Sequence, residues 1–104
     1  MKILVRTDNH IQGTQNLMHQ VEAIVADTLS RFADRVTRTE VYLSDETSAA
    51  KGGEDMRCRI EVRLAGLKPV SVSDQSDSLI AAVHGAARKV ETLLDRTLSK
   101  RSKR

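Results

Sequence analysis

The chain has 104 residues and a formal net charge of +3, from 17 Lys or Arg against 14 Asp or Glu. This length predicts one domain. Phe32 and Tyr42 are the only aromatic residues, so the chain has few side chains that could hold single-stranded RNA by base stacking. A single cysteine, Cys58, excludes an internal disulfide framework. The chain has no apolar run of about eighteen residues and no apolar N-terminus of signal-peptide length. We therefore expect a cytoplasmic protein with no membrane span.

Hydrophobic periodicity predicts the element order β-α-β-β-β-α. The first strand covers residues 2–7, and a turn at 8–13 leads into a helix over 14–32, whose apolar residues recur at three- and four-residue steps. Alternation then predicts strands at 38–44 and 55–64, joined by a polar hairpin loop at 45–54. A further strand at 68–73, which has Pro69 near its start, suits an edge position. The last helix begins at about residue 76.

This order restricts the topology. A strand–helix–strand unit makes the first two strands parallel, and the short links that follow make the next pairs antiparallel. Because each helix has one apolar stripe, we predict an α+β fold with two helices packed on one face of a four-stranded mixed sheet. The other face would be wet, and it would display four arginines tempered by two glutamates. These residues are Arg38, Arg57, Arg59, Arg63, Glu40 and Glu61. That face is either a second contact surface or a solvated sheet balanced by cross-strand pairs.

The positive charge is concentrated at the C-terminal end of the chain. Residues 76–104 carry seven basic and three acidic residues, whereas residues 1–75 carry ten basic and eleven acidic ones. A local excess of cations is typical of a surface that binds a polyanion, although a solvated helix face would have the same composition. Ser76 or Asp77 is the predicted N-cap of this helix.

Lys89 and Arg96 lie on one flank of the last helix, with no acid three or four residues away, so neither has a neutralising partner on that helix. Arg88 has such a partner, Glu91, at i+3. We predict a domain over 1–99 followed by a basic tail over 100–104. The predicted RNA-binding residues are Lys89, Arg96, Arg88, Lys100, Arg101, Lys103 and Arg104.

Catalysis is poorly supported by the sequence. The three histidines, His10, His19 and His84, lack metal-ligand spacing, and Cys58 alternates with apolar residues as a core cysteine does. The Gly52-Gly53 pair lacks the Lys-Ser/Thr of a phosphate loop. We therefore expect no enzyme activity, no metal, no cofactor and no small-molecule substrate.

Two stretches of the chain resemble the ribosome hibernation-promoting factor family, also called the sigma-54 modulation or ribosome-associated inhibitor family. Residues 31–43, RFADRVTRTEVYL, are similar to the end of its first helix and its second strand. Residues 77–83, DSLIAAV, running on to Arg88-Lys89-Val90, are similar to its second helix. The resemblance extends over about residues 3–98 and is to the short form of the family.

The resemblance implies a βαβββα domain with the topology of double-stranded RNA-binding domains. It also implies binding to the small ribosomal subunit, in the channel used by mRNA and tRNA, during stationary phase or stress. Basic residues of the family's second helix contact rRNA phosphates; Lys89 matches one such position and Arg96 falls near another. The chain departs from the family at Thr92 and Asp95, where basic residues are frequent. The long form carries a C-terminal module that pairs ribosomes; this chain ends without it, so we do not expect such pairing.

The resulting hypothesis is a ribosome-associated factor that inhibits translation by occluding that channel. Two alternatives remain at this stage: a protein–protein regulator of a transcription factor, and a general binder of structured RNA. The expected partner is rRNA of the small subunit, with no membrane. The protein itself would be a monomer or a weak dimer, since an exposed edge strand permits pairing.

Overall fold

The computed structural model describes the backbone of residues 1–46 and 55–102 and the side chains of 1–46 and 55–99. The predicted element order β-α-β-β-β-α is confirmed. Most of the predicted hairpin loop, residues 47–54, lies outside the described residues. The elements are β1 (Lys2–Thr7), α1 (Gln15–Thr28), a 3₁₀ turn (Ser30–Phe32), β2 (Val36–Asp45), β3 (Met56–Leu64), β4 (Val70–Ser76) and α2 (Leu79–Ser102).

The sheet has the strand order β1-β2-β3-β4. β1 pairs parallel with β2, and the other two pairs are antiparallel, as predicted. One row across the sheet, from Val5 through Val41 and Ile60 to Val72, shows how the register places apolar side chains on a single face. Because side chains alternate along a strand, the residues between these rows point to the opposite face. Both helices cover the apolar face, which confirms the two-layer arrangement.

The core lies between the sheet and the two helices. α1 buries Val21 and Val25, and the 3₁₀ turn adds Phe32. α2 contributes a stripe at three- and four-residue steps, which fixes its orientation on the sheet. The buried residues of α2 are Ala82, Val83, Ala86, Ala87, Val90, Leu94 and Leu98.

α1 is shorter than its periodicity predicts. Thr14 caps its start, because the Thr14 side chain accepts a hydrogen bond of 3.2 Å from the Leu17 backbone N–H. The helix ends at Thr28, whose hydroxyl donates to the Ile24 carbonyl oxygen at 2.9 Å. The chain then tightens into the 3₁₀ turn, so Phe32 still reaches the core although it no longer belongs to α1.

The bounds of β2 and β4 differ most from the prediction. β2 begins at Val36 rather than at residue 38, with an irregularity in its pairing between Val36 and Arg38 that interrupted the sequence pattern. β4 begins at Val70, after Pro69, which has no N–H to donate, and it continues to Ser76 rather than ending at residue 73. This extension brings Asp74 into the strand.

Cys58 is fully buried on the core face of β3, as predicted. Burial raises the pKa of its thiol to about 12, and the nearby Asp74 carboxylate acts in the same direction. The unfolded thiol ionises near pH 9, so the folded state loses relative stability as pH rises above that value towards 12. We expect the free energy of unfolding to fall by about 1–2 kcal/mol more in the wild type than in Cys58→Ala between pH 8 and pH 10. Urea unfolding of both proteins at the two pH values measures this difference, and parallel pH dependences would contradict it.

Candidate nucleic-acid interface

α2 carries the predicted basic flank on its outer side. The helix is capped by Ser78, whose hydroxyl accepts a hydrogen bond of 3.3 Å from the Ala81 backbone N–H. The predicted caps, Ser76 and Asp77, are therefore wrong by one or two positions. Opposite the buried stripe, the Arg88 and Arg96 side chains are exposed. Neither forms an ion pair or hydrogen bond with any residue whose side chain is described. A rigid helix thus presents two unneutralised guanidinium groups to solvent.

Lys89 is exposed but not unpaired, which corrects the sequence prediction. Its Nζ lies 2.9 Å from Asp74 Oδ1 and donates a second hydrogen bond of 3.0 Å to the Ser73 carbonyl oxygen. The prediction considered only partners on the same helix, whereas this carboxylate comes from β4. Asp74 pairs with Cys58 in the sheet register and so points to the helix-covered face. The ammonium group has three N–H donors, and these two contacts leave one for an external acceptor.

Gly85 makes room for the Asp74 carboxylate against α2. A Cβ atom at position 85 would stand 2.7 Å from Asp74 Cγ, far inside contact distance. Beside this contact, a groove of about 470 Å³ lies between α2 and β4. Its lining residues are Asp74, Gly85, Arg88, Lys89 and Thr92. The groove holds two cations and a hydroxyl donor against one carboxylate, so it can accept an anionic oxygen. Sequence reasoning missed Asp74 and Gly85.

Arg88 lacks the helical partner that its sequence predicts. Glu91 instead faces Arg31 of the 3₁₀ turn, with 3.8 Å between Arg31 Nε and Glu91 Oε2. Arg31 also donates to Asp95 Oδ1 at 3.2 Å. Both acids of the middle of α2 are thereby used to hold the 3₁₀ turn against the helix, and Arg88 is left for contacts outside the domain.

The basic side of the domain is set by the contrast with α1. Residues 7–30 contain no Lys or Arg, and α1 exposes two acids, Glu22 and Asp27. A polyanion is therefore repelled by the α1 surface and attracted by the α2 flank. This contrast is visible in the sequence as the lack of Lys and Arg over residues 7–30. The prediction rested instead on the excess of positive charge at the C-terminal end.

The predicted tail is only partly within the structure. The backbone of α2 is helical through Ser102, past the predicted boundary at residue 99, so 100–102 extend the helix. The side chains of Lys100 and Arg101, and all of Lys103 and Arg104, lie outside the described residues. Their predicted role in RNA binding stays a prediction.

The family comparison covers nearly the whole chain. Residues 4–102 match the family described as sigma 54 modulation protein / S30EA ribosomal protein. The chain belongs to this family. The match covers the whole sheet apart from its first residues and all of α2, so the groove and the α2 flank are part of the family domain. Comparison with curated protein sequences gives no significant match.

Solved structures of similar fold include proteins from Thermus thermophilus and Coxiella burnetii. The Thermus thermophilus Protein Y N-terminal domain is 27% identical, with a TM-score of 0.74, over 93% of this chain and 99% of that chain. A ribosomal subunit interface protein from Coxiella burnetii is 17% identical, with a TM-score of 0.71, over 95% of this chain and 99% of that chain. The second likeness shows the fold alone; the first extends the sequence similarity to a solved domain of nearly equal length.

Across residues 1–46 and 55–99 there is no cluster of three or more His, Cys, Asp or Glu that could hold a metal ion. None of the helices that the structure describes is long and apolar enough to cross a membrane. The raised pKa of Cys58 keeps the thiol protonated near neutral pH, so it is a poor nucleophile.

Proposed function

We propose that this protein is a non-catalytic factor that binds the small ribosomal subunit through rRNA phosphates. It inhibits translation in the cytoplasm, during stress or stationary phase, by occupying the channel for mRNA and tRNA. Membership of the sigma 54 modulation / S30EA family supports the ribosome as the partner. The observation that carries the binding mode is the exposure of Arg88 and Arg96 on α2 without a partner among the described side chains.

The binding mode follows from the electrostatics of the flank. Arg88 and Arg96 lie eight residues apart on one helix, about 12 Å along its axis, so they can reach two phosphates of a folded RNA. Contacts to phosphates position a protein without reading sequence. Specificity would then come from the shape of the RNA. Lys100, Arg101, Lys103 and Arg104 would extend the contact beyond the described side chains.

Lys89 has a conditional role in this proposal. Its pair with Asp74 must be loosened, or its third N–H donor used, when a phosphate enters the groove. The neighbouring carboxylate reduces the attraction for that phosphate, so Arg88 and Arg96 are the stronger contacts.

Inhibition requires no bond to be made or broken. A compact domain of this kind fills space that a substrate nucleic acid needs, so protein and substrate compete for one site. We propose that it does so as a monomer. Among the described residues, the outer edges of β1 and β4 have no strand partner, and they are where a weak dimer would form.

Sedimentation through sucrose gradients with purified ribosomal subunits tests the proposal. We expect the protein to travel with the small subunit at about 50 mM salt and to be largely released at about 200 mM, because phosphate contacts release counterions. Small subunits already loaded with mRNA and initiator tRNA should bind much less protein. Protein that stays at the top of the gradient at low salt would disprove the ribosomal role. Displacement by bulk duplex RNA would identify a general binder of structured RNA.

A further inference from the structure

The face of the sheet that no helix covers is strongly cationic. The register places six basic side chains there, against two carboxylates of the strands. The basic residues are Lys2, Arg6, Arg38, Arg57, Arg59 and Arg63; the acids are Glu40 and Glu61. Glu46, just beyond β2, partly neutralises one of these six cations, because its Oε2 lies 3.5 Å from Arg57 Nη1. A solvated sheet balanced by cross-strand pairs would need nearly equal numbers of the two signs, so the open face is not balanced.

Like charges are also paired directly across the strands. Lys2 lies opposite Arg38, and Arg38 lies opposite Arg63, so three cations form one row over three strands. Cross-strand pairs of like charge destabilise a sheet. In the row beyond the two glutamates, Arg6 and Arg59 flank Tyr42. The two cationic rows are four residues apart, about 13 Å along the strands.

Glu40 holds the centre of this face without cancelling its charge. Its Oε2 lies 2.8 Å from Arg38 Nη2 and 3.8 Å from Arg6 Nη2, and its Oε1 accepts a hydrogen bond of 2.7 Å from the Tyr42 hydroxyl. The hydrogen bond from Tyr42, opposed by burial and assisted by Arg38 and Arg6, keeps the pKa of Glu40 below its ordinary value. One carboxylate thus orients two guanidinium groups and a phenol while leaving excess positive charge.

Arg59 and Arg63 are two cations of the face that carboxylates neutralise little. The Arg59 guanidinium stacks over the Tyr42 ring, 4.9 Å from its centroid, and makes no ion pair with the side chains that the structure describes. Arg63 has only a distant contact, 4.0 Å to Glu61, and its side chain is 53% exposed. Stacked, planar guanidinium groups suit phosphates and bases.

The composition of the face favours RNA over a protein partner. Stable protein interfaces depend on buried apolar or aromatic anchors. Among the described residues, Met1 is the only large hydrophobic residue that is exposed. Leu4 and Tyr42 are the apolar and aromatic side chains of the sheet's open face; both are half-buried between charged neighbours, and the Arg59 guanidinium covers the Tyr42 ring. A surface of guanidinium groups without an exposed apolar anchor is complementary to a phosphate backbone.

We infer that the open face of the sheet is a second RNA-binding surface, so that the bound domain contacts rRNA phosphates on two opposite sides. The inference rests on the proposed function and extends it: α2 and the open face lie on opposite sides of the sheet, and an RNA groove that encloses the domain would contact both. Two-sided contact also explains how a small domain could fill a channel rather than lie on its wall.

Titration of isolated small subunits at several salt concentrations tests this inference. The sheet variant is Arg59→Gln with Arg63→Gln, and the control is Gln15→Glu with Gln20→Glu on exposed α1, which lowers the net charge equally. We expect the sheet variant to bind about fivefold more weakly, with a salt slope smaller by roughly 1.4 to 1.8. The control should keep the slope of the wild type. A sheet variant that binds like the wild type would overturn the inference but leave the proposed function intact.

A second measurement uses the wild-type protein, so its main result does not depend on the variant folding. Arginine modification by p-hydroxyphenylglyoxal, read by mass spectrometry on the wild-type protein, should be suppressed at Arg59 and Arg63 when small subunits are bound. Modification that is equal in free and bound protein would overturn the inference. Arg59 and Arg63 could instead be protected by whole subunits while the sheet variant binds naked rRNA as tightly as the wild type does. That pair of results would assign the face to a ribosomal protein. Protection in concentrated free protein would assign it to a second copy of the chain; either result overturns the RNA assignment.

Discussion

Replacing Arg88 and Arg96 together by glutamine is expected to weaken binding to the small ribosomal subunit by about tenfold or more. Exposed ion pairs contribute about 0.2–1 kcal/mol each, so losing two such contacts amounts to roughly tenfold in affinity. Neither guanidinium has a competing carboxylate among the described side chains. The salt slope should fall by roughly 1.4 to 1.8, because two phosphates are no longer neutralised. Equilibrium titration of labelled protein with isolated small subunits measures both quantities.

The fold should survive this double change. Both positions are on the exposed side of α2, and glutamine forms helices about as well as arginine. Far-UV circular dichroism and the urea midpoint should match the wild type. The α1 control, Gln15→Glu with Gln20→Glu, lowers the net charge by the same amount and should bind nearly normally. If the control and the α2 variant lost equal affinity, overall charge rather than the α2 flank would drive binding.

Replacing Asp74 by asparagine is expected to strengthen binding, by about fivefold. In the wild type, a phosphate near Lys89 would stand about 5 Å from the Asp74 carboxylate, where the repulsion of two unit charges is about 1 kcal/mol in water-like surroundings and more in a drier groove. Asparagine keeps an oxygen that can accept from Lys89 but removes the negative charge. The salt slope should therefore increase by about 0.7 to 0.9, as one further phosphate is neutralised.

A double-mutant cycle identifies the cause. If Asp74 acts through Lys89, the gain from Asp74→Asn should largely disappear when Lys89 is replaced by glutamine. A gain that persists in the Lys89→Gln background would assign the effect to Arg88, which lines the same groove. Weaker binding by Asp74→Asn would instead mean that the carboxylate positions the ammonium group for the RNA, and the competitive role would be wrong.

Periodicity predicted the architecture well because the core is built from it. The buried stripe of α2, with Val90 and Leu94 at its centre, and the alternation of β3 around Cys58 and Ile60 are local patterns of one element each. The helix and strand types, their order and the single covered face follow from such patterns. The boundaries were less secure, as the early end of α1 and the late end of β4 illustrate.

The charge pairs of the site could not be predicted in the same way. Lys89 meets Asp74 fifteen positions earlier in the chain, and Arg31 meets Asp95 sixty-four positions later. Neither pair leaves a trace in helical spacing, which reports only neighbours three or four residues apart. Since the predicted strand ends at residue 73, it does not include Asp74 and gives no direction for its side chain. A strand continued by one residue, with Val70 and Val72 facing the core, would have placed this carboxylate under α2.

Gly85 has a consequence for how the affinity of this protein can be tuned. Alanine there would favour the helix by about 1 kcal/mol, yet its methyl group would push the Asp74 carboxylate aside and release the ammonium of Lys89. One uncharged carbon could thus alter the electrostatic potential of the groove without adding or removing any ionised group. Variation at this single position in other chains of similar fold would adjust the strength of ribosome capture while the count of acids and bases stays constant.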